Sequence, residues 1–379
     1  MVERLLQEQI LKRIEDQKAI ILLGSRQVGK TTLFHQLFDE KSNEVLWWNG
    51  DESDTRQLLS NATSTMLKNL IGTHKYVIID EAQRIENIGL CIKLIVDNIK
   101  GVKVLASGSS AFELANKINE PLTGRKWEYN IYPVSFEEMV NHHGLLEEKR
   151  LLHNRLIYGY YPDVVNNPGN EQAVLQQLSD SYLYKDILIW ENIKKADRLE
   201  KLLQALAFQL GSEVSYSELG RMTGIDNETV EKYISLLEKV FVIFRLGALS
   251  RNLRNELKKS RKIYFYDNGL RNAIIKQFNP LNLRNDVGVL WENFLISERI
   301  KTTHYNEVYS NRYFWRTHAQ QEIDYIEERD GTLHAFEFKW SPIKKTKFPK
   351  PFLDNYPNHT TQVIYQDNYV DFINLKTPS

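Results

Sequence analysis

The sequence predicts an α/β protein with a parallel N-terminal sheet that carries a P-loop, followed by a helical region and a second region containing strands. Short, nearly continuous apolar runs alternate with polar, helix-permissive stretches over the first 135 residues, which is typical of strands buried on both faces of a parallel sheet. A glycine-rich motif stands between the first apolar run and the first helical stretch. Beyond residue 135 the pattern turns mostly helical and then returns to strands.

Length and composition limit the number of domains and the kinds of partner that this protein can have. A chain of 379 residues is long enough for two or three domains of ~100–200 residues each. Lys and Arg together number 49, and so do Asp and Glu, so bulk charge does not indicate nucleic acid and leaves only a local basic surface open. The single cysteine, Cys91, excludes an internal disulfide. Without an apolar run of ~20 residues or a signal-peptide layout, we expect a cytoplasmic protein with no membrane partner.

The first predicted domain, residues 1–135, has five strands. Its apolar runs span residues 19–23, 45–48, 76–79, 102–106 and 127–131, and the polar stretches 30–38 and 87–100 between them are predicted helices. Strand and helix alternation of this kind favours an α/β layer fold. Pro133 is expected to end the fifth strand.

The middle of the chain is predicted as a helical lid or linker over residues 136–198 and a winged-helix-like domain over residues 199–275. A turn is expected at 158–163, where glycine and proline interrupt the helical pattern. Ser215 and Glu218 have capping-box spacing, Gly224 suits a helix end, and Asp226 would cap a second helix. Strands over 241–246 and 262–266 would form the wing. The last domain, 281–379, reads as one helix (289–300) and then strands.

The glycine-rich motif fits the pattern G-x-x-x-x-G-K-[ST] between a strand and a helix, which is the context that identifies a P-loop. Glycines allow successive backbone N–H groups to wrap phosphates, and the helix N-terminus adds partial positive charge. Lys30 would reach the β- and γ-phosphates of ATP, and Thr31 would bind Mg²⁺. The alternative is a plain glycine turn with a capping threonine. The predicted nucleotide-binding residues are Gly24, Ser25, Arg26, Gln27, Val28, Gly29, Lys30, Thr31 and Thr32.

Two carboxylates follow the strand 76–79. Asp80 and Glu81 would lie at the carboxyl edge of the sheet, where ligands of open α/β sheets bind. We predict that Asp80 holds Mg²⁺ and that Glu81 orients and polarises the attacking water. A strand that ends in two solvated acids is the alternative.

Hydroxyl groups and arginines complete the predicted ATP site. Ser107 or Ser109, after the strand 102–106, would hydrogen-bond the γ-phosphate or the water, although a plain Ser/Gly turn is an alternative. Phosphoryl transfer also needs an arginine on the developing charge, from the same chain or a neighbouring subunit. Arg125 is the first candidate, ahead of Arg26 and Arg84. An arginine from a neighbouring subunit would require a homo-oligomer, which the sequence leaves open.

Several ordered motifs resemble one family of bacterial and archaeal AAA-type ATPases with a C-terminal domain of unassigned role. The resemblance implies an AAA-type fold, ATP binding and a restriction-endonuclease-like end, and it covers nearly the whole chain. It does not supply a cellular role. The motifs begin at Gly24 (GSRQVGKT), Asp80 (DEAQ), Ser107 (SGSS), Leu122 (LTGR), Tyr132 (YPVSFEE), Tyr158 (YGYYP), Tyr184 (YKDI), Tyr264 (YFYDNGL) and Trp291 (WENF).

A second set of polar residues resembles the metal site of the PD-(D/E)-x-K nuclease superfamily. Asp330-Gly331 is a strong hairpin signal, and a two-residue loop there would place Asp324 opposite Glu337 and Glu322 opposite Lys339. Opposed residues have Cβ atoms ~4.5–5.5 Å apart. We therefore predict two carboxylates and a lysine on one face, with Phe336 and Phe338 on the other.

This patch predicts a second divalent-ion site. Asp324 and Glu337 would hold Mg²⁺, Glu292 in the preceding helix would add a ligand, and Lys339 would position the water or stabilise the transition state. The alternative is an ordinary exposed sheet face with cross-strand acid–base pairs.

Two cation-rich segments, 251–262 and 339–350, make DNA a candidate partner, because phosphate contacts dominate DNA affinity. Solvated charge runs are the alternative. The sequence thus predicts an ATPase with a DNA-associated C-terminal half, either a nuclease or a nuclease-derived binding module. The rival hypothesis is a nucleotide-switched protein-interaction module without nuclease activity.

Overall fold

A computed structural model of the chain describes residues 1–38, 42–108, 118, 120–182, 196–250, 260–341 and 346–374. It divides into two compact units. The first comprises Met1–Pro133 with Lys239–Phe241, and the second comprises Val134–Glu238 with Val242–Ser379. The predicted end of the first domain, residue 135, lies two residues from this division.

The first unit is a five-stranded parallel sheet with helices, and it confirms the predicted fold class. Its strands lie in the order β2-β3-β4-β1-β5, and each pairs in parallel with its neighbours. The strands are β1 (Ala19–Gly24), β2 (Val45–Asn49), β3 (Tyr76–Asp80), β4 (Lys103–Gly108) and β5 (Lys126–Ile131). The helices are α1 (Leu6–Leu11), α2 (Lys30–Leu37), α3 (Ser53–Ser60), α4 (Ser64–Ile71) and α5 (Ile88–Asn98).

Strand order brings three functional segments to one edge of this sheet. β1 and β4 are buried along their whole length, which is why they read as continuous apolar runs. Because β4 lies between β1 and β3, its carboxyl end stands between the loop after β1 and the acids after β3. Parallel strands present all their carboxyl ends at one edge, so the P-loop, Asp80 and Ser107 meet there.

The second unit begins with a run of helices. Ser135 starts it with a reciprocal capping box to Glu138, a signal for a helix N-terminus. The helices are α6 (Phe136–His143), α7 (Leu145–Arg150), α8 (Leu152–Tyr158), α9 (Pro162–Val165), α10 (Glu171–Tyr182), α11 (Ala196–Phe208), α12 (Tyr216–Thr223) and α13 (Asn227–Lys239). The expected turn is the gap between α8 and α9, and Gly224 ends α12 in the left-handed conformation.

A six-stranded mixed sheet with four further helices completes the described part of the second unit. Its strands lie in the order β11-β10-β9-β8-β6-β7. The strands are β6 (Ile243–Ala248), β7 (Arg261–Phe265), β8 (Asn311–Arg316), β9 (Glu322–Arg329), β10 (Thr332–Phe338) and β11 (His359–Ile364). The helices are α14 (Asn268–Ile274), α15 (Val287–Tyr305), α16 (Lys350–Asn355) and α17 (Tyr369–Ile373). Both α14 and α15 precede β8 in the chain.

The strand pair predicted as a wing is part of this sheet. β6 and β7 are antiparallel, and β7 also bridges back to Glu213 before α12. However, β6 continues the sheet by pairing in parallel with β8 at Tyr313 and Phe314. The predicted division between residues 275 and 281 is therefore not a division of the sheet. Local periodicity indicates a strand but not its neighbours, which is why the sequence assigned this pair to a separate domain.

Two of the ordered motifs meet inside the second unit at Asp267. Its buried carboxylate accepts hydrogen bonds from the backbone N–H groups of Tyr160 (2.6 Å) and Leu270 (2.9 Å). A Cβ at Gly159 would overlap this carboxylate, and a Cβ at Gly269 would overlap the Tyr158 carbonyl. The motifs at residues 158 and 264 thus have a structural role, holding α8 against the start of α14.

Candidate ATP site and C-terminal polar cluster

The loop between β1 and α2 has the backbone of a phosphate cradle. Gln27 (φ 59°) and Gly29 (φ 93°) are left-handed, and such conformations turn successive N–H groups toward one point. A Cβ at Gly24 would overlap the Ile131 carbonyl of β5, so this glycine is required by close packing. Lys30 Nζ donates to the carbonyls of Gly24 (3.1 Å) and Ser25 (2.9 Å), which keeps its ammonium group at the loop.

The predicted magnesium ligands are in direct contact. Thr31 Oγ1 donates to Asp80 Oδ2 at 2.7 Å, joining the first turn of α2 to the end of β3. Ser107 Oγ donates to the other carboxylate oxygen of Asp80 and accepts from the Glu81 N–H at 3.3 Å. The fully buried Ser107 hydroxyl therefore orients Asp80. The role of Ser107 at the γ-phosphate or the water stays a prediction, and Ser109 lies outside the described residues.

Glu81 is held beside this pair in an uncommon conformation. Its φ is 48°, and a non-glycine residue in the left-handed region is often found at functional sites. Gln83 Nε2 donates to Glu81 Oε2 at 2.6 Å. A Cβ at Gly50, after β2, would overlap the Glu81 carbonyl. Sequence reasoning missed Gln83 and Gly50, although Gln83 belongs to the DEAQ motif.

Arg125 lies at the opposite edge of the sheet from the P-loop. Its carbonyl accepts from the N–H of Ala19, the first residue of β1, whereas the P-loop follows the last. The five steps of ~3.3 Å between the first and last of the six β1 residues separate the two ends by roughly 17 Å. Arg125 Nε donates to Asp97 at 2.7 Å. A role at the ATP site of its own chain is therefore wrong, and only the neighbouring-subunit role remains a prediction.

The other two arginines are less informative. Arg84 forms an ion pair with Asp51 at 2.8 Å, with both side chains about half exposed. Arg26 is exposed in the P-loop itself. Neither position identifies the arginine that would complete the site.

The first unit fits ATP with Mg²⁺. The left-handed loop positions and the N-terminus of α2 suit phosphate, because the free N–H groups of a helix start are donors. Thr31 and Asp80 supply the hydroxyl and carboxylate oxygens that Mg²⁺ prefers. These contacts favour the P-loop interpretation over a plain glycine turn. Asp80 is buried and its carboxylate accepts three hydrogen bonds, so it is not a solvated acid.

In the second unit, the predicted β-hairpin register is the observed one. Asp330 (φ 49°) and Gly331 (φ 73°) form the turn, and Thr332 pairs with Arg329 through to Phe336 with Tyr325. Asp324 comes next in this register. Its Oδ2 accepts from the Phe338 N–H at 2.8 Å. The Asp324 side chain therefore takes the place of a backbone acceptor at this end of the hairpin.

Asp324, Glu337 and Lys339 share one face, as predicted. Lys339 Nζ lies 2.7 Å from Glu337 and 3.7 Å from Asp324, while Phe336 and Phe338 are buried on the other face against Phe372. This face is covered. The Glu337 side chain is only 10% exposed, which rules out the alternative of an ordinary exposed sheet face.

Lys262, which the sequence analysis did not place here, enters the cluster from β7. Its Nζ is paired with Glu322 and lies 3.3 Å from Glu292, and its side chain is 2% exposed. Tyr264 also donates to Glu292, at 2.5 Å. Glu322 is thus a partner of Lys262 and of Arg316 (3.5 Å). The predicted Glu322–Lys339 pairing at the end of the hairpin is not among the contacts.

Burial raises the pKa of two acids of the cluster, Glu292 and Glu337. Burial, and then the neighbouring Asp324 carboxylate, raise the pKa of Glu292 to about 7 despite the charge of Lys262. The same two causes raise the pKa of Glu337 to about 7, although Lys339 opposes them. A carboxyl group that ionises only near neutral pH is a weaker metal ligand than an ordinary carboxylate, because metal and proton compete for it.

The fit of this cluster to a divalent ion is incomplete. Across the described part of the chain, no group of three or more His, Cys, Asp or Glu side chains is arranged to hold a metal ion. Lys339 lies against Asp324 and Glu337, and Lys262 lies against Glu292. The metal assignment of Glu292, Asp324 and Glu337 stays a prediction.

Three cations of the two cation-rich segments, Arg261, Lys262 and Lys339, have partners within the second unit. Lys262 is buried in the cluster, and Arg261 Nη1 donates to Tyr216 (2.5 Å) and lies 3.5 Å from Glu231. Lys339 is occupied by Glu337. Lys347 and Lys350 of the second segment are exposed. Residues 251–259 and 342–345, which include Lys344 and Lys345, lie outside the described residues.

Three family descriptions match separate parts of the chain. Residues 16–140 match "AAA domain", residues 149–281 match "Domain of unknown function (DUF8612)", and residues 287–375 match "Domain of unknown function (DUF4143)". The first confirms an AAA-type P-loop ATPase domain. The other two name neither a winged helix nor a nuclease, so both of those stay predictions.

Three relatives that match much of this chain carry names that describe them as uncharacterized proteins. An uncharacterized protein of Mycobacterium tuberculosis is 25% identical over 335 residues, covering 87% of this chain and 71% of its own. One of Haemophilus influenzae is 26% identical over 281 residues (67% and 68%). One of Methanocaldococcus jannaschii is 25% identical over 316 residues (71% and 65%).

Solved structures show only distant likeness. A STAND protein with a tetratricopeptide repeat sensor from Pyrococcus horikoshii is 12% identical to this chain, with a TM-score of 0.32. The match covers 81% of this chain but only 48% of the STAND protein. A Drosophila ORC structure with GC-rich DNA and Cdc6 is 9% identical, with a TM-score of 0.26, over 72% of this chain and 90% of that one. Such scores carry no inference about partners. In the described residues, no helix is both long and apolar enough to cross a bilayer.

Proposed function

We propose that this protein is a Mg²⁺-dependent ATP hydrolase. The observation that carries the proposal is the 2.7 Å hydrogen bond between Thr31 and Asp80, because it joins the two predicted magnesium ligands at the mouth of the phosphate loop. Bound Mg²⁺ would neutralise phosphate charge as the terminal bond breaks. Lys30 holds a cation at the loop, and Glu81 presents a carboxylate fixed by Gln83 to orient a water molecule.

Phosphate release by the purified protein tests the proposal directly. We expect release from ATP in Mg²⁺ and none once EDTA has removed the metal. ATP binding with a submicromolar to micromolar Kd but without any turnover would overturn the hydrolase and leave a nucleotide switch.

Arg125 gives the second prediction, which depends on assembly. Because Arg125 lies at the far edge of its own sheet, we propose that it acts on the ATP site of a neighbouring copy in a homo-oligomer. Arg125→Ala should bind ATP normally and hydrolyse it ~10³-fold more slowly, the scale of an arginine that stabilises the transition state in trans. Mixing it with Glu81→Gln protein should restore part of the activity through mixed interfaces.

Light scattering and a concentration series provide the control for that experiment. A trans arginine makes specific activity rise with protein concentration as subunits associate. A protein that stays monomeric with full activity at every concentration would contradict the neighbouring-subunit role.

We further propose that the C-terminal half acts on DNA as a nuclease or as a nuclease-derived binding module. Support comes from Asp324, Glu337 and Lys339, which converge on one face in the register predicted from the Asp330-Gly331 turn. The incomplete metal fit favours the binding module over cleavage.

Asp324→Ala separates these outcomes. If the half is a nuclease, wild-type protein should cleave DNA in Mg²⁺, and the variant should lose cleavage while its ATP hydrolysis stays intact. Glu328→Ala, which removes a carboxylate four residues further along β9, is the matched control and should cleave normally. Wild-type protein that binds duplex DNA but cleaves no substrate would leave the binding module.

The rival proposal is a nucleotide-switched protein-interaction module, and one observation favours it. Exposed charges on α12, on α13 and between them are mixed in sign, with four acids and three cations: Glu218, Asp226, Glu228 and Glu231, and Arg221, Lys232 and Lys239. Such a mixture does not make the cationic surface that phosphate contacts need. Stimulation of ATP hydrolysis by duplex DNA would favour the DNA proposal, and its absence together with absent DNA binding would favour the rival.

A further inference from the structure

Arg4 connects the N-terminal segment to the phosphate loop. It precedes α1 and is 6% exposed, which is unusual for arginine. Its Nη1 donates to the Val28 carbonyl at 2.6 Å, and its Nη2 donates to the Tyr132 carbonyl at 2.6 Å. A Cβ built at Gly29 would lie 3.5 Å from the same Nη1. One guanidinium thus ties the middle of the P-loop to the residue that follows β5.

The contact with Val28 determines the direction of a donor on the other side of the same peptide. A trans peptide is planar, so the carbonyl of Val28 and the N–H of Gly29 point in opposite directions. Arg4 holds that carbonyl on the protein side of the loop. The Gly29 N–H is therefore turned outward, at the left-handed position that precedes α2, where phosphate oxygens are expected to bind.

The hydrogen bond from Arg4 to the Tyr132 carbonyl fixes the guanidinium group that holds the Val28 carbonyl. Ile131, immediately before Tyr132, pairs with Gly24 at the start of the loop, so Arg4 spans from the strand beside the loop to the middle of the loop. Two hydrogen bonds from one planar group define an orientation that a single bond does not. The positive charge also lies behind the peptide that donates to the phosphates, which strengthens that donor.

We propose that Arg4 is a positioning residue for nucleotide phosphates, which acts by orienting the Val28–Gly29 peptide. The proposal rests on the ATP site of the proposed function but not on hydrolysis. An effect on phosphate binding should appear as lower affinity for ATP and ADP, since donors that contact the phosphates before reaction act on binding as well as on the transition state.

Arg4→Met and Arg4→Lys test this. Methionine keeps much of the side-chain volume without either hydrogen bond, and lysine keeps the charge with a single donor group that reaches only one of the two carbonyls. The matched control is Arg13→Met. Arg13 comes from the same N-terminal segment, is exposed, and stacks 4.3 Å from the centre of the Trp127 ring, near the start of β5 and away from the loop.

The measurements are the Kd for fluorescent ATP and ADP analogues, KM and kcat, and the thermal midpoint without nucleotide. We expect Arg4→Met to weaken both nucleotides about tenfold, the effect of one lost charge-assisted hydrogen bond. KM should rise correspondingly while kcat changes less than about threefold. Arg4→Lys should lie between wild type and Arg4→Met, and Arg13→Met should bind as wild type does.

Three results would overturn the proposal. One is wild-type affinity in folded Arg4→Met protein. Another is an equal loss in Arg13→Met. The third is a lowered thermal midpoint with unchanged affinity in the folded fraction, which would make Arg4 purely structural. If Arg4→Met does not fold, wild-type affinity in Arg4→Lys overturns it in the same way. Absent ATP hydrolysis with normal ATP binding would contradict the proposed function alone and leave this test intact.

Discussion

Glu81→Gln should leave ATP binding intact and slow hydrolysis by ~10²–10³-fold, the usual contribution of a positioned general base. Glutamine keeps the shape of the side chain and its contact with Gln83, but it cannot take a proton from water. The proposed role is supported by the fixed position of Glu81, since its backbone is held at φ 48° and its Oε2 accepts a 2.6 Å hydrogen bond.

Two control variants define how this result is interpreted. Lys30→Ala should lose most ATP binding, because the phosphates lose the ammonium held at the loop. Glu86→Gln removes an exposed carboxylate five residues further along and should turn over ATP as wild type does. The measurements are ATP affinity and single-turnover phosphate release. Wild-type turnover in Glu81→Gln would show that another group activates the water.

Gly269→Ala should destabilise the second unit by about 3 kcal/mol, at the upper end of the cost of overpacking. A Cβ at this position would overlap the carbonyl of Tyr158, and the Asp267 carboxylate lies 3.0 Å from it. Both obstacles are fixed. The carbonyl belongs to the end of α8, and Asp267 is held by the N–H groups of Tyr160 and Leu270, so no flexible side chain can move aside.

Gly288→Ala is the matched control for this prediction. Gly288 also stands near a helix start, in α15, but a Cβ there meets no atom within 4 Å. Alanine should therefore be neutral or stabilise by ~0.5–1 kcal/mol, because it lowers the entropy lost on folding. Urea unfolding followed by circular dichroism gives both values. Equal unfolding midpoints for the two alanine variants would show that the α8–α14 contact can accommodate the added methyl group with no loss of stability.

The sequence alone determined the features that depend on neighbours in the chain. The P-loop is a strand, a loop and a helix in succession, so spacing was sufficient to place Lys30 and Thr31 at the start of that helix. The hairpin register followed from Asp330-Gly331, because a two-residue turn permits one pairing and a one-residue slip would have exposed Phe336 and Phe338.

Only the tertiary structure decided which distant residues meet. Ser107 binds Asp80 because β4 lies between β1 and β3, and Arg125 is removed from its own ATP site because β1 and β5 run parallel. Lys262 reaches Glu292 from a strand that local periodicity had assigned to another domain. The physical reason is common to these cases. Periodicity reports which face of a strand or helix is apolar, whereas strand order and direction are set by long-range packing that has no local signal.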